Sequence, residues 1–175
     1  MVNAQLIAME FHGMLPVHDR PEATEGYEGF SHLCAMQGEV ELATLEYIIR
    51  DHDRASFEAR KALFESAAAF LNAKYGAGTV EVALRDSYYN MREKIEPHMA
   101  IVEAAQQAMR DAGVTPRVVP IRGGTDGARL SYEGLPCPNL FTGGENYHGR
   151  FEYVPVEDME AAVRTLKCIL RNAAK

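Results

Sequence analysis

The stretch from Asp53 to Gly78 constrains the fold most. Phe57, Leu63, Phe64, Ala67, Leu71 and Tyr75 recur at helical spacing, Asp53 stands where an N-cap belongs, and Gly76 and Gly78 close the run. A helix with one apolar stripe has to bury it against another element, and the flanking sequence offers strands. Phe30 to Met36 reads as a strand, and Val40, Leu42, Leu45, Tyr47 and Ile49 alternate with polar residues up to Arg50. Period two returns at Val80, Val82 and Leu84, leading towards Asn90. Upstream, Leu6, Ile7, Phe11, Met14 and Leu15 predict another helix, ended by Pro16. The order helix, strand, strand, helix, strand is that of a β-α-β-β-α-β lobe without its first strand, an antiparallel sheet with two helices on one face.

The second half changes period. After the charged segment MREKIEPH, Pro97 sits at a first helical position, Ile101, Val102, Ala105 and Met109 supply an apolar face, and Gly113 stops the helix. A strand over 117–121, a Gly-rich turn, a short helix opened by Asp126, a strand over 139–142, a Gly-rich loop and a terminal helix follow. In that last helix Met159, Val163, Leu166 and Leu170 are expected to face inward. This is βα alternation, so the fold class is α/β: an α+β lobe over 1–92 and a βα section over 93–175.

Composition narrows the function. A formal charge of −7 without a basic cluster argues against nucleic acid or an anionic membrane as partner. No apolar run approaches the ~20 residues that span a bilayer, and no signal-peptide pattern follows Met1, so a cytoplasmic location is expected. Cys34, Cys137 and Cys168 are odd in number and widely spaced, which predicts three buried thiols rather than a disulfide framework or a zinc ribbon.

Two segments can carry chemistry. Ile121-Arg122-Gly123-Gly124-Thr125-Asp126-Gly127 reads as a strand entering a tight turn, and serves equally as a simple βα turn or as a close-approach loop in which Arg122 grips a carboxylate. Gly143-Gly144-Glu145-Asn146-Tyr147-His148-Gly149 places His148 in a flexible loop, where both a plain loop histidine and a zinc ligand stay open on local spacing. Arg50 and Asn90 stand at the ends of predicted strands. The histidines at 12, 18, 32, 52 and 98 show no ligand spacing, and no G-x-S-x-G or Cys-His nucleophile pattern is present.

The strings RPEATEGYEGF, YIIRDHDR, FEARK, RDSYYNMREK and QQAMRDAGVTPRVVPIRGGTDGARLSYEGLPCPNLFTGGENYHGRFEYV together resemble peptidase T, the tripeptide-aminopeptidase branch of the M20 metallopeptidases that use two zinc ions. The resemblance implies a lid and dimerisation domain over 1–92, the final section of a catalytic domain over 93–175, and a homodimer acting on tripeptides. It implies that His148 is a zinc ligand, that Arg122 holds the peptide carboxylate, and that Arg50 and Asn90 of the lid assist. The upstream H-x-D motif, bridging aspartate, Glu-Glu pair and further aspartate of that family match nothing here. The expectation is therefore a C-terminal portion that is inactive alone and leaves zinc unbound. A non-catalytic dimerisation or peptide-binding module of the same origin is the alternative, and a small nucleotide-binding domain resting on GGTDG is a third reading.

Overall fold

The structure, a computed structural model, describes residues 2–174. They form two compact units: one reaches to Asn90 and includes Pro120–Gly123, and the other comprises Met91–Val119 and the residues from Gly124 onward.

In the first unit, helix α1 (Ala4–Met14) starts where the Asn3 side chain accepts the Gln5 amide at 2.9 Å, and ends at Leu15, extended ahead of Pro16. Strands β1 (Phe30–Gly38) and β2 (Ala43–Arg50) pair antiparallel from Phe30 opposite Arg50 to Gly38 opposite Ala43. The register slips between Leu33 and Ala35, which places a bulge at Cys34. That thiol is exposed and the other two are only partly buried, contrary to the expectation of three buried cysteines. Helix α2 (Arg54–Tyr75) begins as its composition dictates, with Asp53 accepting the Ser56 amide at 2.8 Å.

Ile7, Phe11 and Leu15 meet Phe64, Ala67, Ala68 and Leu71 in one core, floored by Leu45, Tyr47 and Ile49 from one face of β2. Full burial of a Leu or Phe side chain contributes about 1.5–3 kcal/mol, so these residues dominate the stability of the unit. Leu71 is fully buried. Phe11, Tyr47 and Phe64 add edge-on ring contacts at 5.0–6.5 Å.

Val80, Val82 and Leu84 are expected on one face of a strand; Val80 and Val82 pack on this core, yet 80–84 forms no strand. Its entry is held by a side chain acting as a ladder partner: Asn72 donates to the Val80 carbonyl at 2.9 Å and accepts its amide at 2.8 Å. A strand requires a neighbour's backbone on one edge, and none is supplied among the described residues.

The second unit is helical. The charged segment MREKIEPH contains a helical turn, α3 (Arg92–Ile95), with Ile95 buried and Arg92 paired to Glu96 at 2.6 Å. Pro97 lies in a following 3-10 turn, so α4 runs from Met99 to Asp111. Helix α5 (Asp126–Tyr132) is capped by Thr125, not Asp126: the Thr125 hydroxyl accepts the Ala128 amide at 3.2 Å. Helix α6 (Val156–Ala173) packs along α4, and each buries a small residue there, Thr165 and Ala108.

The predicted strands over 117–121 and 139–142 are absent for the same reason as 80–84: no backbone partner accompanies them among the described residues. The expected inward stripe of α6 is also reversed. Met159, Val163, Leu166 and Leu170 are 43–71% exposed, and the side carrying Ala161, Ala162, Thr165 and Cys168 is the more buried one. Periodicity identifies an apolar face but not which face a neighbour covers. The mixture of helices with an antiparallel strand pair fits the α/β class expected. Among the described residues no helix is long and apolar enough to cross a membrane.

Candidate functional site

His148 belongs to a loop closed on itself. Glu145 and Tyr153 form an isolated antiparallel bridge, with the Glu145 amide donating to the Tyr153 carbonyl at 2.9 Å and the Tyr153 amide returning a bond at 3.2 Å. Between them the chain turns through left-handed Asn146 (φ 55°) and His148 (φ 62°), a conformation L residues seldom adopt. The turn is supported by the Gly149 amide on the Asn146 carbonyl at 2.9 Å and by the His148 amide on the Glu152 carboxylate at 3.1 Å. The Tyr147 and Thr142 hydroxyls are bonded at 2.9 Å. Gly143 (φ 79°) brings the loop against the first turn of α6, where a Cβ would stand 2.2 Å from that of Asp158. The His148 imidazole is exposed, and among the described residues it has no hydrogen-bond partner.

The metal implied by the resemblance can be tested on this donor set. A structural or catalytic zinc takes three or four protein ligands. Among the described residues no group of three or more His, Cys, Asp or Glu side chains converges. One imidazole beside a carboxylate already bonded to a backbone amide does not fit a zinc site by itself.

The GGTDG segment resolves towards packing. A Cβ on Gly127 would lie 2.6 Å from the Cys137 carbonyl oxygen, and Ser131 both donates to the Gly127 carbonyl at 2.7 Å and accepts the Cys137 amide at 2.9 Å. The glycine and the cap are explained by this close approach, and α5 spans only seven residues. Nucleotide binding loses its one supporting feature.

Within the first unit, the loop after β2 gathers three of the predicted residues. Arg50 ends the strand, with its guanidinium 5.8 Å from the Tyr88 ring centre. Asp51 is tied to Arg60 Nε at 2.9 Å, and Arg60 also pairs with Asp19 at 2.7 Å without hydrogen-bond alignment. Asn90 donates to the His52 carbonyl at 3.2 Å. Arg122 directs one terminal nitrogen at the Thr24 carbonyl at 2.5 Å and the other at the Thr24 hydroxyl, and its guanidinium carbon lies 5.1 Å from the Phe30 ring centre. Its Nε is buried without a hydrogen-bond partner among the described residues. Thr24 thus presents two oxygens to the guanidinium fork, the arrangement a carboxylate would offer.

Sequence reasoning missed His52 and Thr24. His52 carries no ligand spacing, and Thr24 is one hydroxyl in a polar loop; neither gives a signal until the loop, the strand end and 120–123 meet.

Among known protein families, Peptidase family M20/M25/M40 matches residues 9–172. The chain belongs to that family. Within the M20 group it is 59% identical over its full length to a protein named Peptidase T from Shouchella clausii, and 57% identical to one of the same name from Clostridium perfringens. It covers 43% of each of these relatives, so this M20 chain spans less than half the length of the curated proteins it matches. A crystal structure of a tripeptidase from Staphylococcus aureus subsp. aureus Mu50 superposes with a TM-score of 0.67 at 21% identity, covering 99% of this chain and 46% of that one. At that identity the likeness establishes the fold.

Proposed function

We propose that this chain is the C-terminal portion of a zinc-dependent aminotripeptidase, which releases the N-terminal residue of tripeptides. The observation that carries the reading is the 54–59% identity over the whole chain to several proteins named Peptidase T. In this reading the first unit, taken to residue 92, is lid and homodimer contact, and 93–175 is the end of the catalytic domain. His148 is one ligand of a two-zinc site whose other ligands lie in the part of the relatives that this chain does not span.

Arg122 recognises the peptide carboxylate, assisted by Arg50 and Asn90. The Thr24 oxygens on its guanidinium support this role, because the same two N–H groups would exchange one pair of oxygen acceptors for another. The enzyme would work in the cytoplasm, on soluble short peptides.

The exposed apolar stripe of α6 and the extended segments without a backbone partner among the described residues favour a portion of a larger catalytic domain over a self-contained module. Purified chain incubated with zinc and a tripeptide should release no N-terminal amino acid. Co-expression with the remaining portion of the Shouchella clausii relative should restore release, and His148→Ala should abolish it. Zinc-dependent cleavage by the isolated chain would overturn the requirement for the other portion. No cleavage by the reconstituted pair would favour the non-catalytic module.

A further inference from the structure

Residues 117–121 read as a strand, yet 117–123 have no backbone-to-backbone hydrogen bond among the described residues. Something else has to hold the end of this segment, which carries Arg122. Two side-chain attachments are present in the first unit. One is Arg122 itself, on Thr24 and over Phe30. The other is His52.

The His52 Nδ1 lies 3.1 Å from the Tyr27 carbonyl and its Nε2 lies 3.2 Å from the Ile121 carbonyl. One contact steadies the ring and two more hold its backbone. The Tyr27 ring meets it edge-on, with centres 5.1 Å apart and planes at 68°. Its own carbonyl is fixed by Asn90. The preceding residue, Asp51, is anchored by Arg60 and accepts the Asp53 amide at 2.9 Å. Both ring nitrogens face oxygens that can only accept, so either neutral tautomer donates to one carbonyl and the protonated ring donates to both. Ile121 is the residue directly before Arg122, so a tether on its carbonyl restricts the backbone from which the guanidinium extends.

We propose that His52 is a positioning residue: by donating its Nε2–H to the Ile121 carbonyl it fixes segment 120–123 and sets where Arg122 presents its guanidinium. The functional value of this clasp rests on the reading of Arg122 as the carboxylate-binding residue, but the clasp is testable without substrate.

The test is solution NMR on the full chain. In the wild type, a His52 Nε2–H signal with a through-hydrogen-bond coupling to the Ile121 carbonyl carbon is expected, as are backbone order parameters near the rigid value of about 0.85 for Ile121, Arg122 and Gly123. In His52→Ala these three should fall below about 0.6 while the amides of α2 are unchanged. His52→Gln, whose side-chain amide also donates, should restore part of the order.

Order parameters in His52→Ala equal to wild type would overturn the proposal, as would the absence of a coupling to the Ile121 carbonyl in the wild type. The latter judges it even if a variant fails to fold. Triglycine titrated onto the chain paired with the remaining portion of the Shouchella clausii relative, in wild-type and His52→Ala form, separates the two readings. If the Arg122 Nε signal does not move, the carboxylate role fails and the clasp stands; if it moves in wild type and His52→Ala alike, positioning by His52 is refuted.

Discussion

Replacing Gly143 by alanine probes how the His148 loop is held. The new Cβ would stand 2.2 Å from Asp158 Cβ and 2.8 Å from its Cγ, and the residue would have to keep φ at 79°. The left-handed conformation costs an L residue about 1–2 kcal/mol. Overpacking against an atom attached directly to the α6 backbone adds about 1–3 kcal/mol, since Asp158 Cβ cannot rotate away. The expected loss for Gly143→Ala is thus about 2–5 kcal/mol.

Two other glycines isolate the terms. At Gly134 (φ 99°) nothing lies within 4 Å of an added Cβ, so Gly134→Ala should show the conformational cost alone. At Gly144 the Cβ would meet the Tyr147 hydroxyl at 2.4 Å, the far end of a side chain that can swing aside. The order of destabilisation in urea unfolding should be Gly143, then Gly134, then Gly144. Asp158→Gly in the Gly143→Ala background should recover about 1–3 kcal/mol, the steric share. A Gly143→Ala midpoint no lower than that of Gly134→Ala would show that Asp158 does not position the loop.

Two further outcomes follow from burial. Desolvation pushes the Tyr47 phenol up to about 12 from its ordinary value near 10, so the folded chain keeps a proton that the unfolded chain releases. Its stabilising effect is whole below pH 10 and is lost as pH rises from 10 towards 12; urea midpoints should fall across that window, and Tyr47→Phe should flatten the fall. On α6, Val163→Gln with Leu166→Gln should shift the midpoint by no more than about 0.5 kcal/mol per site, because both side chains are half exposed, whereas Thr165→Leu, at a buried position, should cost about 1–3 kcal/mol.

The core lobe was legible because its signals are local and redundant. Asp53 as cap, the stripe through Leu71 and the glycine stop all act within one helix, and the alternation of Leu45, Tyr47 and Ile49 identifies the face of β2 that meets it. The extended segments were harder to place. Val80–Leu84, 117–121 and 139–142 have strand-like composition, but a strand is a pairing with another backbone, and composition carries no record of whether that backbone is beside it. The α6 stripe failed in the same way, since helical period reports an apolar face without reporting its cover.

His148, Arg122, Arg50 and Asn90 came from short motifs and a family resemblance. Their surroundings came from folding. The sequence by itself determined the helix and hairpin of the first unit, the glycine at 143 that a left-handed turn demands, and membership of the M20 family through strings spread along the whole chain. Tertiary structure alone decided that Thr24 faces Arg122 and that His52 reaches the carbonyl of Ile121. Those contacts join residues 98 and 69 positions apart, and a hydrogen bond across that distance depends on how elements pack rather than on any local preference of the residues it joins.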